Sequence, residues 1–213
     1  MMKRILVVLA LAGIAPMQAQ ATGVEFGYAS WMQDNSGSIA GTTVSPSSST
    51  PGMIWAEVEH PVPMLPNLRY ASSDLSIGDA TNSLNLGMTD IILYYNLIDT
   101  VATVDVGFGM RNMTGSAVVA STPNTIPGAP VPVVYANLAG KIPGMGLTVG
   151  YRYTGLSSGS NSVTSTELYA NYEIAYGLQA TLGMRDDSAS FDVTDGAIAA
   201  NSSGAFIGIM YKF

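Results

Sequence analysis

The sequence predicts an all-β fold, a transmembrane antiparallel up-and-down β-barrel of ten strands, with eight strands as the alternative. Three observations predict it. Mean hydropathy is +0.28 and only 11% of the residues are charged, yet no segment is apolar for the roughly 18 residues that a membrane-spanning helix needs. Apolar residues instead alternate with polar ones, as in strands that have one lipid-facing side. The breaks between these strands are alternately short and long, as in the hairpins of a barrel.

The N-terminal segment is predicted to be a secretory signal peptide. Two basic residues near the start are followed by an apolar run over 5–15, which is too short to cross a bilayer as a helix. Residues 19–21 (Ala-Gln-Ala) then provide a small-x-small cleavage site. We therefore expect a cleaved signal peptide at 1–21 and one barrel domain at 22–213. The absence of cysteine excludes disulfides and thiolate metal sites.

Ten candidate strands follow, separated by polar or Pro/Gly-rich breaks. They lie near 24–33, 53–62, 67–77, 84–98, 100–113, 131–142, 146–156, 163–176, 177–191 and 204–213. The long breaks, predicted to be outer loops, are 34–52, 78–83, 114–130, 157–162 and 192–203. The short breaks, predicted to be periplasmic turns, are 61–66, 99–100, 143–146 and 176–177. With both termini in the periplasm, a ten-strand barrel requires this number of loops and turns.

Charged residues within the predicted strands share one parity. A lipid-facing Arg or Lys at mid-bilayer costs roughly 2–4 kcal/mol, so strand charges are expected to face the lumen. All six cations after residue 21 and seven acids have this inward parity. They are Arg69, Arg111, Lys141, Arg152, Arg185 and Lys212, with Glu25, Glu57, Glu59, Asp90, Asp105, Glu167 and Glu173. The remaining acids, including Asp186 and Asp187, are placed in loops, turns or strand ends.

These inward charges predict an ion-pair network inside the barrel, because buried charges require partners. Its predicted members are Glu57, Glu59, Arg69, Asp105, Arg111, Arg152, Glu167, Glu173 and Arg185. The favoured pair joins Glu57 or Glu59 to Arg69, since their strands form one hairpin. An ion pathway is an alternative interpretation, and so is a pair of catalytic carboxylates. Inward glycines such as Gly107 and Gly150 are expected to leave space in the lumen.

One predicted strand changes the side on which its apolar residues lie. Leu84, Leu86 and Met88 have even numbers, whereas Ile91 and Leu93 have odd numbers. A β-bulge near 88–90 would explain the shift, and a wrong strand start would explain it as well.

The last ten residues predict the closing strand. Ile207, Ile209, Tyr211 and Phe213 form one apolar face of a period-two pattern. A terminal strand of this kind resembles the closing strand of bacterial outer-membrane β-barrels, which the barrel-assembly machinery reads. The resemblance implies an assembly signal and that machinery as a partner during biogenesis. An edge strand of a soluble β-protein is the alternative interpretation.

The segment Trp55-Ala-Glu-Val-Glu-His-Pro-Val-Pro-Met-Leu-Pro-Asn-Leu-Arg69 is the most specific motif of the chain. It resembles the hallmark run Trp-Ala-Glu-x-Glu-His-Pro-Val-Pro-x-Leu-Pro-Asn-x-Arg of a family of small Gram-negative outer-membrane β-barrel proteins. Residues 89–99 are also similar to that family. The resemblance implies a location in the cell outer membrane, with its lipid and lipopolysaccharide as surroundings, and it implies no reaction.

Signals for catalysis or cofactor binding are weak. The single histidine, His60, precedes a proline in a predicted periplasmic turn, where we favour a structural role over proton transfer. The acids of 186–195 lack EF-hand spacing, so we interpret them as solvated and predict no metal site, with divalent-cation bridging to lipopolysaccharide as the alternative. No phosphate loop, dinucleotide motif or basic patch is present, so we predict no cofactor and no nucleic-acid partner.

The predicted function is that of a non-enzymatic, monomeric, integral outer-membrane barrel with an envelope-structural or surface-interaction role. Barrels of about eight strands are filled by side chains, and about 16 strands are needed for a wide channel. Ten strands and nearly balanced inward charges favour a largely filled lumen. A narrow passive channel for small solutes or ions is the alternative.

Overall fold

The computed structural model describes residues 23–39, 41–62, 64–78, 81–119, 122–158, 161–193 and 196–213. The signal peptide predicted at 1–21 lies outside the described residues. No helix in these ranges is long and apolar enough to span a membrane. The strands are β1 (Gly23–Trp31), β2 (Gln33–Ile39), β3 (Thr42–Ser49), β4 (Gly52–Glu59), β5 (Asn67–Gly78), β6 (Ser83–Asp99), β7 (Ala102–Val119), β8 (Thr122–Ile142), β9 (Leu147–Ser158), β10 (Asn161–Ala175), β11 (Leu178–Val193) and β12 (Gly196–Lys212).

All of these strands belong to one antiparallel sheet that closes on itself through the pairing of β1 with β12. β1 and β2 are two segments of a single wall strand, interrupted at Met32, because both pair with β12. β3 and β4 form another such strand, since they pair with β2 and β1 respectively. The predicted ten-strand antiparallel barrel is therefore confirmed, and the eight-strand alternative is wrong.

The predicted outer loops are wrong over much of their length, because the strands extend through them. The break at 34–52 contains β2 and β3, the break at 114–130 belongs largely to β7 and β8, and most of 192–203 lies in β12. These serine- and threonine-rich segments pair with neighbouring strands, and that pairing outweighs their low intrinsic preference for strand. The periplasmic turns remain short, as predicted.

The side of the wall that carries the apolar residues changes part of the way along the barrel. Near the periplasmic turns the exposed outward side chains are apolar and form a surface that we call the lipid belt; examples are Tyr28, Tyr70, Ile91, Phe108, Leu168 and Ile207. Farther out, the exposed outward side chains are polar; examples are Asp34, Asp74, Asn85, Asn112, Asp186 and Asn201. The first pattern suits lipid and the second suits water.

β6 shows this reversal on a single strand. Leu84, Leu86 and Met88 are buried on the inward side, and Asp90 continues that side. The pairing of β6 with β5 and β7 runs without a shift through this region, so the predicted β-bulge near 88–90 is wrong. The apolar residues change sides because the medium outside the wall changes from water to lipid, while the backbone keeps its register.

The part of the barrel beyond the lipid belt has an apolar core of its own. On β7 this outer part of the barrel comprises the eight residues 112–119. They span roughly 26 Å of strand at about 3.3 Å per residue. The buried residues inside it pack into one cluster, the outer core. Its members are Ile39, Val44, Leu75, Ile77, Leu84, Leu86, Met88, Met113, Ala117, Ile126, Val133, Val163, Ala189, Ile198 and Ala200. The outer part of the molecule is thus organised like a water-soluble β-barrel.

Candidate functional site

Below the outer core the lumen contains ion pairs between neighbouring strands. The pairs Glu57–Arg69, Asp90–Arg111, Glu167–Arg152 and Glu167–Arg185 join residues that lie directly opposite each other in the sheet. Each charge therefore reaches its partner across one pair of hydrogen-bonded strands. We call the set containing Arg111 and Arg185 the upper charged layer, and the set containing Arg69 and Arg152 the lower charged layer.

Arg111 is the most completely buried cation of the upper layer, at 1% exposure. Its Nε lies 2.7 Å from Asp90 Oδ1 and its Nη2 lies 2.7 Å from Asp90 Oδ2, which is a bidentate pair. Its Nη1 donates to Ser165 Oγ at 2.8 Å. Sequence reasoning did not single out Ser165, although its inward parity in β10 is the signal that would have found it.

Arg185 connects the two layers. Its Nε and Nη2 each lie 2.9 Å from an oxygen of Asp187, and its Nη1 lies 2.8 Å from Glu167 Oε1. Its guanidinium also stacks over the Trp31 ring, 4.9 Å from the centroid. Asp187 was predicted in a loop or strand end, and this is wrong. β11 continues to Val193, so Asp187 shares the inward parity of Arg185.

The lower layer contains the pair that the hairpin geometry favours. Arg69 Nη1 donates to Glu57 Oε1. Arg152 Nη1 lies 2.7 Å from Glu167 Oε2, and its Nη2 lies 3.9 Å from Glu57 Oε1. Its guanidinium lies 4.9 Å from the ring centroid of Tyr169. Glu167 accepts from both Arg152 and Arg185, so one carboxylate holds the two layers together.

Asp105 and Glu59 lie closer to the periplasm and have other partners. Asp105 is buried and accepts a 2.8 Å hydrogen bond from Asn137. Among the described residues no cation lies within ion-pair distance of it. Glu59 lies 3.6 Å from Lys212 Nζ and accepts from Asn96 Nδ2 at 3.1 Å. Asp105 thus belongs to a polar contact rather than to the predicted ion-pair network.

Glu173 and Lys141 are exposed at the periplasmic rim. Lys141 pairs with Asp99 at 3.3 Å, and both side chains are partly in solvent. The described part of the chain provides no ion-pair partner for Glu173. Both residues have inward parity, but they lie next to the turns, where the wall ends and water replaces the lumen. Their predicted place inside the barrel is therefore wrong.

The inward glycines do not leave the predicted space. Neighbouring backbone crowds Gly107, where an added Cβ atom would lie 2.4 Å from the Leu93 carbonyl oxygen, and aromatic rings cover three others. A Cβ atom on Gly150 would lie 2.4 Å from Tyr169, one on Gly183 would lie 2.6 Å from Phe206, and one on Gly27 would lie 2.1 Å from Trp55. Each glycine lies directly opposite the aromatic residue that covers it. Pairs of this kind protect a glycine in a strand and fill the barrel at the same time.

We expect Gly150→Val to destabilise the barrel by about 1–3 kcal/mol, since the added methyl groups collide with Tyr169. Gly140→Val is the matched control, because Gly140 faces lipid and a Cβ atom added there would meet nothing within 4 Å. The free energy of unfolding in urea, measured in phospholipid vesicles, checks both variants. Equal stability of the two would contradict the ring-over-glycine packing. Recovery in Gly150→Val/Tyr169→Ala would assign the loss to that contact.

Among the described residues of the lower layer lies a cavity of about 30 Å³. Arg152 and Asn171 both line it, and neither Arg152 Nε nor Asn171 Oδ1 has a hydrogen-bond partner among the described residues. A donor and an acceptor that face one small cavity suit one or two bridging water molecules. The volume is far below that of a pocket for an organic ligand.

His60 organises the turn between β4 and β5. Its Nδ1 accepts from the Val62 N–H at 3.2 Å, so Nε2 carries the ring hydrogen and faces the Pro66 carbonyl oxygen at 3.1 Å. These contacts fit the structural role that we favoured for this residue. No group of three or more His, Asp or Glu side chains in the described part of the chain is arranged to hold a metal ion.

The residues of the predicted assembly signal lie on the outside of β12. Ile207 and Ile209 belong to the lipid belt. The Tyr211 and Phe213 rings contact each other edge to face at 4.8 Å, and Phe26 of β1 lies 5.8 Å from Phe213. These rings form an aromatic cluster at the periplasmic end of the closing seam, where aromatic girdles lie in membrane barrels.

No protein-family model matches the sequence, and no curated protein matches it. Among solved structures, Neisserial surface protein A matches with a TM-score of 0.43 and 11% identity over 92% of this chain and 100% of that chain. The translocator domain of autotransporter NalP from Neisseria meningitidis matches with a TM-score of 0.43 and 11% identity over 99% and 95%. The CymD monoaromatic hydrocarbon channel matches with a TM-score of 0.41 and 7% identity over 90% and 88%. Similarity at this level carries no statement about activity.

The closed wall and the lipid belt determine where this protein resides. At the level of the lipid belt the sheet closes through β1 and β12 and so leaves no open edge there, which is what hydrocarbon requires of a spanning β-structure. A band of exposed apolar side chains around a closed antiparallel wall is the arrangement of bacterial outer-membrane barrels. The chain is a β-barrel protein of the cell outer membrane.

Proposed function

We propose that this protein is a non-enzymatic outer-membrane barrel with a closed lumen, which holds a rigid, water-facing β-structure above the outer leaflet. The observation that carries the proposal is the continuous filling of the interior. The two charged layers lie below the outer core, and aromatic rings, including Tyr169 over Gly150, pack among their charged side chains. A solute would have to displace each of them in turn.

The charge arrangement supports a closed lumen. Arg111 and Arg185 each make bidentate contacts with one carboxylate, so their charge is neutralised locally. A selective ion pathway is usually lined by an excess of one sign of charge. The layers here contain matched partners, and breaking one pair leaves a buried charge that costs several kcal/mol.

The outer surface supports a role in the envelope or in surface interaction. Above the lipid belt the outward side chains carry hydroxyl, amide and carboxylate groups, including Asp34, Asp74 and Asp186. Within the described residues no Lys or Arg side chain is exposed on this surface. Such a surface suits partners that offer hydrogen-bond donors or positive charge, and neutral sugar groups of lipopolysaccharide are compatible with it. It is not suited to direct pairing with lipopolysaccharide phosphates.

The resemblance stated for the Trp55–Arg69 segment supports membership of that family of small outer-membrane barrels. In this structure the segment forms β4, the His60 turn and the start of β5, and it supplies the Glu57–Arg69 pair. The apolar outer face of β12 supports recognition by the barrel-assembly machinery. A monomer is the proposed form, because the barrel closes within one chain.

Single-channel recording in planar bilayers tests the closed lumen. We expect the refolded protein to be silent, whereas a wide porin recorded in the same bilayers gives discrete openings. Heat-modifiable gel mobility confirms that the silent protein is folded. Discrete openings of the wild type would contradict the proposal.

A narrow passive channel is the second candidate, and the water-sized cavity beside Arg152 and Asn171 favours it. The Arg111→Ala/Arg152→Ala variant separates the two functions. Openings in the wild type whose size or ion selectivity changes in this variant would establish a pathway lined by these arginines. A silent wild type with a silent variant would leave the outer core as the closing element.

A further inference from the structure

The turn between β4 and β5, described at residues 60–62 and 64–66, exposes three large apolar side chains. Val62, Met64 and Leu65 are 48%, 74% and 54% exposed. The stretch 61–66 contains no charged residue. Exposing such side chains to periplasmic water is unfavourable by roughly 25 cal/mol for each Å² of apolar surface, so a water-facing turn would be expected to have polar residues here.

Hydrogen bonds join the two sides of the turn. The His60 contacts with Val62 and Pro66 close one side of it. The Leu65 N–H donates to the Val62 carbonyl at 3.2 Å, and the His60 N–H donates to Asn67 Oδ1 at 3.2 Å. The exposed side chains are therefore presented by a preorganised backbone.

A hydrogen bond identifies the side of the wall on which the turn lies. The Tyr95 hydroxyl donates to the Met64 carbonyl oxygen at 3.3 Å. Tyr95 follows Ile91 and Leu93 on the outward side of β6, and both of those residues belong to the lipid belt. The turn thus leans toward the lipid side of the barrel and does not lie across the mouth of the lumen. Its apolar surface continues the belt beyond the end of the strands.

We propose that the β4–β5 turn is an interfacial anchor, which inserts Val62, Met64 and Leu65 into the inner, phospholipid leaflet of the outer membrane. The occupant is lipid at the boundary between head groups and acyl chains. Continuity with the lipid belt argues for lipid, and so does the absence of charge from the turn. The neighbouring Tyr95 has the amphipathic ring that is enriched at membrane interfaces. The anchor fixes the depth of the barrel on its β4–β6 side.

Site-specific labelling tests the anchor, and it is direct because the chain contains no cysteine. Met64→Cys is labelled with the fluorophore NBD and refolded into vesicles of phosphatidylethanolamine and phosphatidylglycerol. Leu93→Cys is the reference in the lipid belt, and Asn112→Cys is the reference on the water-facing surface. We expect the label at position 64 to show blue-shifted emission and stronger quenching by shallow than by deep doxyl lipids. Emission and quenching equal to those at position 112 would overturn the proposal.

A second measurement excludes insertion caused by the apolar dye. A nitroxide on Leu65→Cys is examined by power saturation in the same vesicles. We expect oxygen to relax it more than a water-soluble nickel complex does. Dominant relaxation by the nickel complex would show that the turn lies in water, and an aqueous turn would make a periplasmic protein the partner of this apolar surface.

Discussion

Replacing Arg111 with methionine is expected to destabilise the barrel by about 3–5 kcal/mol, because Asp90 would remain as a buried carboxylate without its partner. Asp90 receives both of its ion-pair contacts from this one guanidinium. Ser165 would lose a donor as well. Urea unfolding in phospholipid vesicles measures the effect, followed by Trp fluorescence, since Trp31 is buried and Trp55 is half-buried.

The double variant Arg111→Met/Asp90→Leu separates the unpaired charge from the loss of packing. Replacing both members of a buried ion pair with apolar residues is often close to neutral, so we expect the double variant to regain most of the lost stability. If the double variant were as unstable as Arg111→Met, the lost energy would come from packing around the guanidinium. Lys141→Met is the exposed control, and removing its pair with Asp99 should cost no more than about 1 kcal/mol.

The charged layers illustrate what the sequence predicts well. A charged side chain that faces lipid is costly within the membrane. The alternation of inward and outward positions along each strand therefore places Arg69, Arg111, Arg152 and Arg185 inside the lumen. Hairpin connectivity then brings the members of each pair onto adjacent strands, as with Glu57 and Arg69. Parity does not say where a strand ends. Lys141 and Glu173 were therefore placed inside the barrel, and Asp187 was placed outside it.

The extent of the strands depends on contacts that the sequence does not display. The segment Thr42–Ser49 contains one buried apolar residue, Val44, among seven Ser, Thr and Pro residues. Serine-rich composition of this kind ordinarily indicates a loop. Here the outward side faces water, so polar residues are suitable there, and Val44 contributes to the outer core. Pairing with β2 provides the backbone hydrogen bonds.

The covering of the inward glycines was missed for a related reason. A glycine at an inward position leaves space only if nothing from the neighbouring strand occupies it. Tyr169 covers Gly150 because β9 and β10 pair in one particular register, and a shift of two residues would leave the glycine open. The cross-strand register of every hairpin would be needed to predict this arrangement.

The reversal of sidedness makes a strong prediction for a lysine scan along the outward face of β6. Asn85→Lys and Thr89→Lys place a charge where the wall faces water, and we expect each to change stability by no more than about 0.5 kcal/mol. Ile91→Lys and Leu93→Lys place the same charge in the lipid belt. There the cost should rise with depth, from up to about 1 kcal/mol at Ile91, beside the boundary, toward about 2–4 kcal/mol at positions nearer the membrane midplane such as Leu93. Unfolding free energies in vesicles measure all four variants.

The position at which the loss of unfolding free energy begins to rise locates the membrane boundary on β6. All four positions lie on one continuous strand with one register, so backbone propensity and neighbouring contacts change little from site to site. A rise in cost that begins between Thr89 and Leu93 therefore reports the medium outside the wall. A cost at Asn85 as large as that at Leu93 would mean that lipid covers the outer part of the barrel too. The outer core would then need another explanation, because apolar residues inside and polar residues outside are stable only against water.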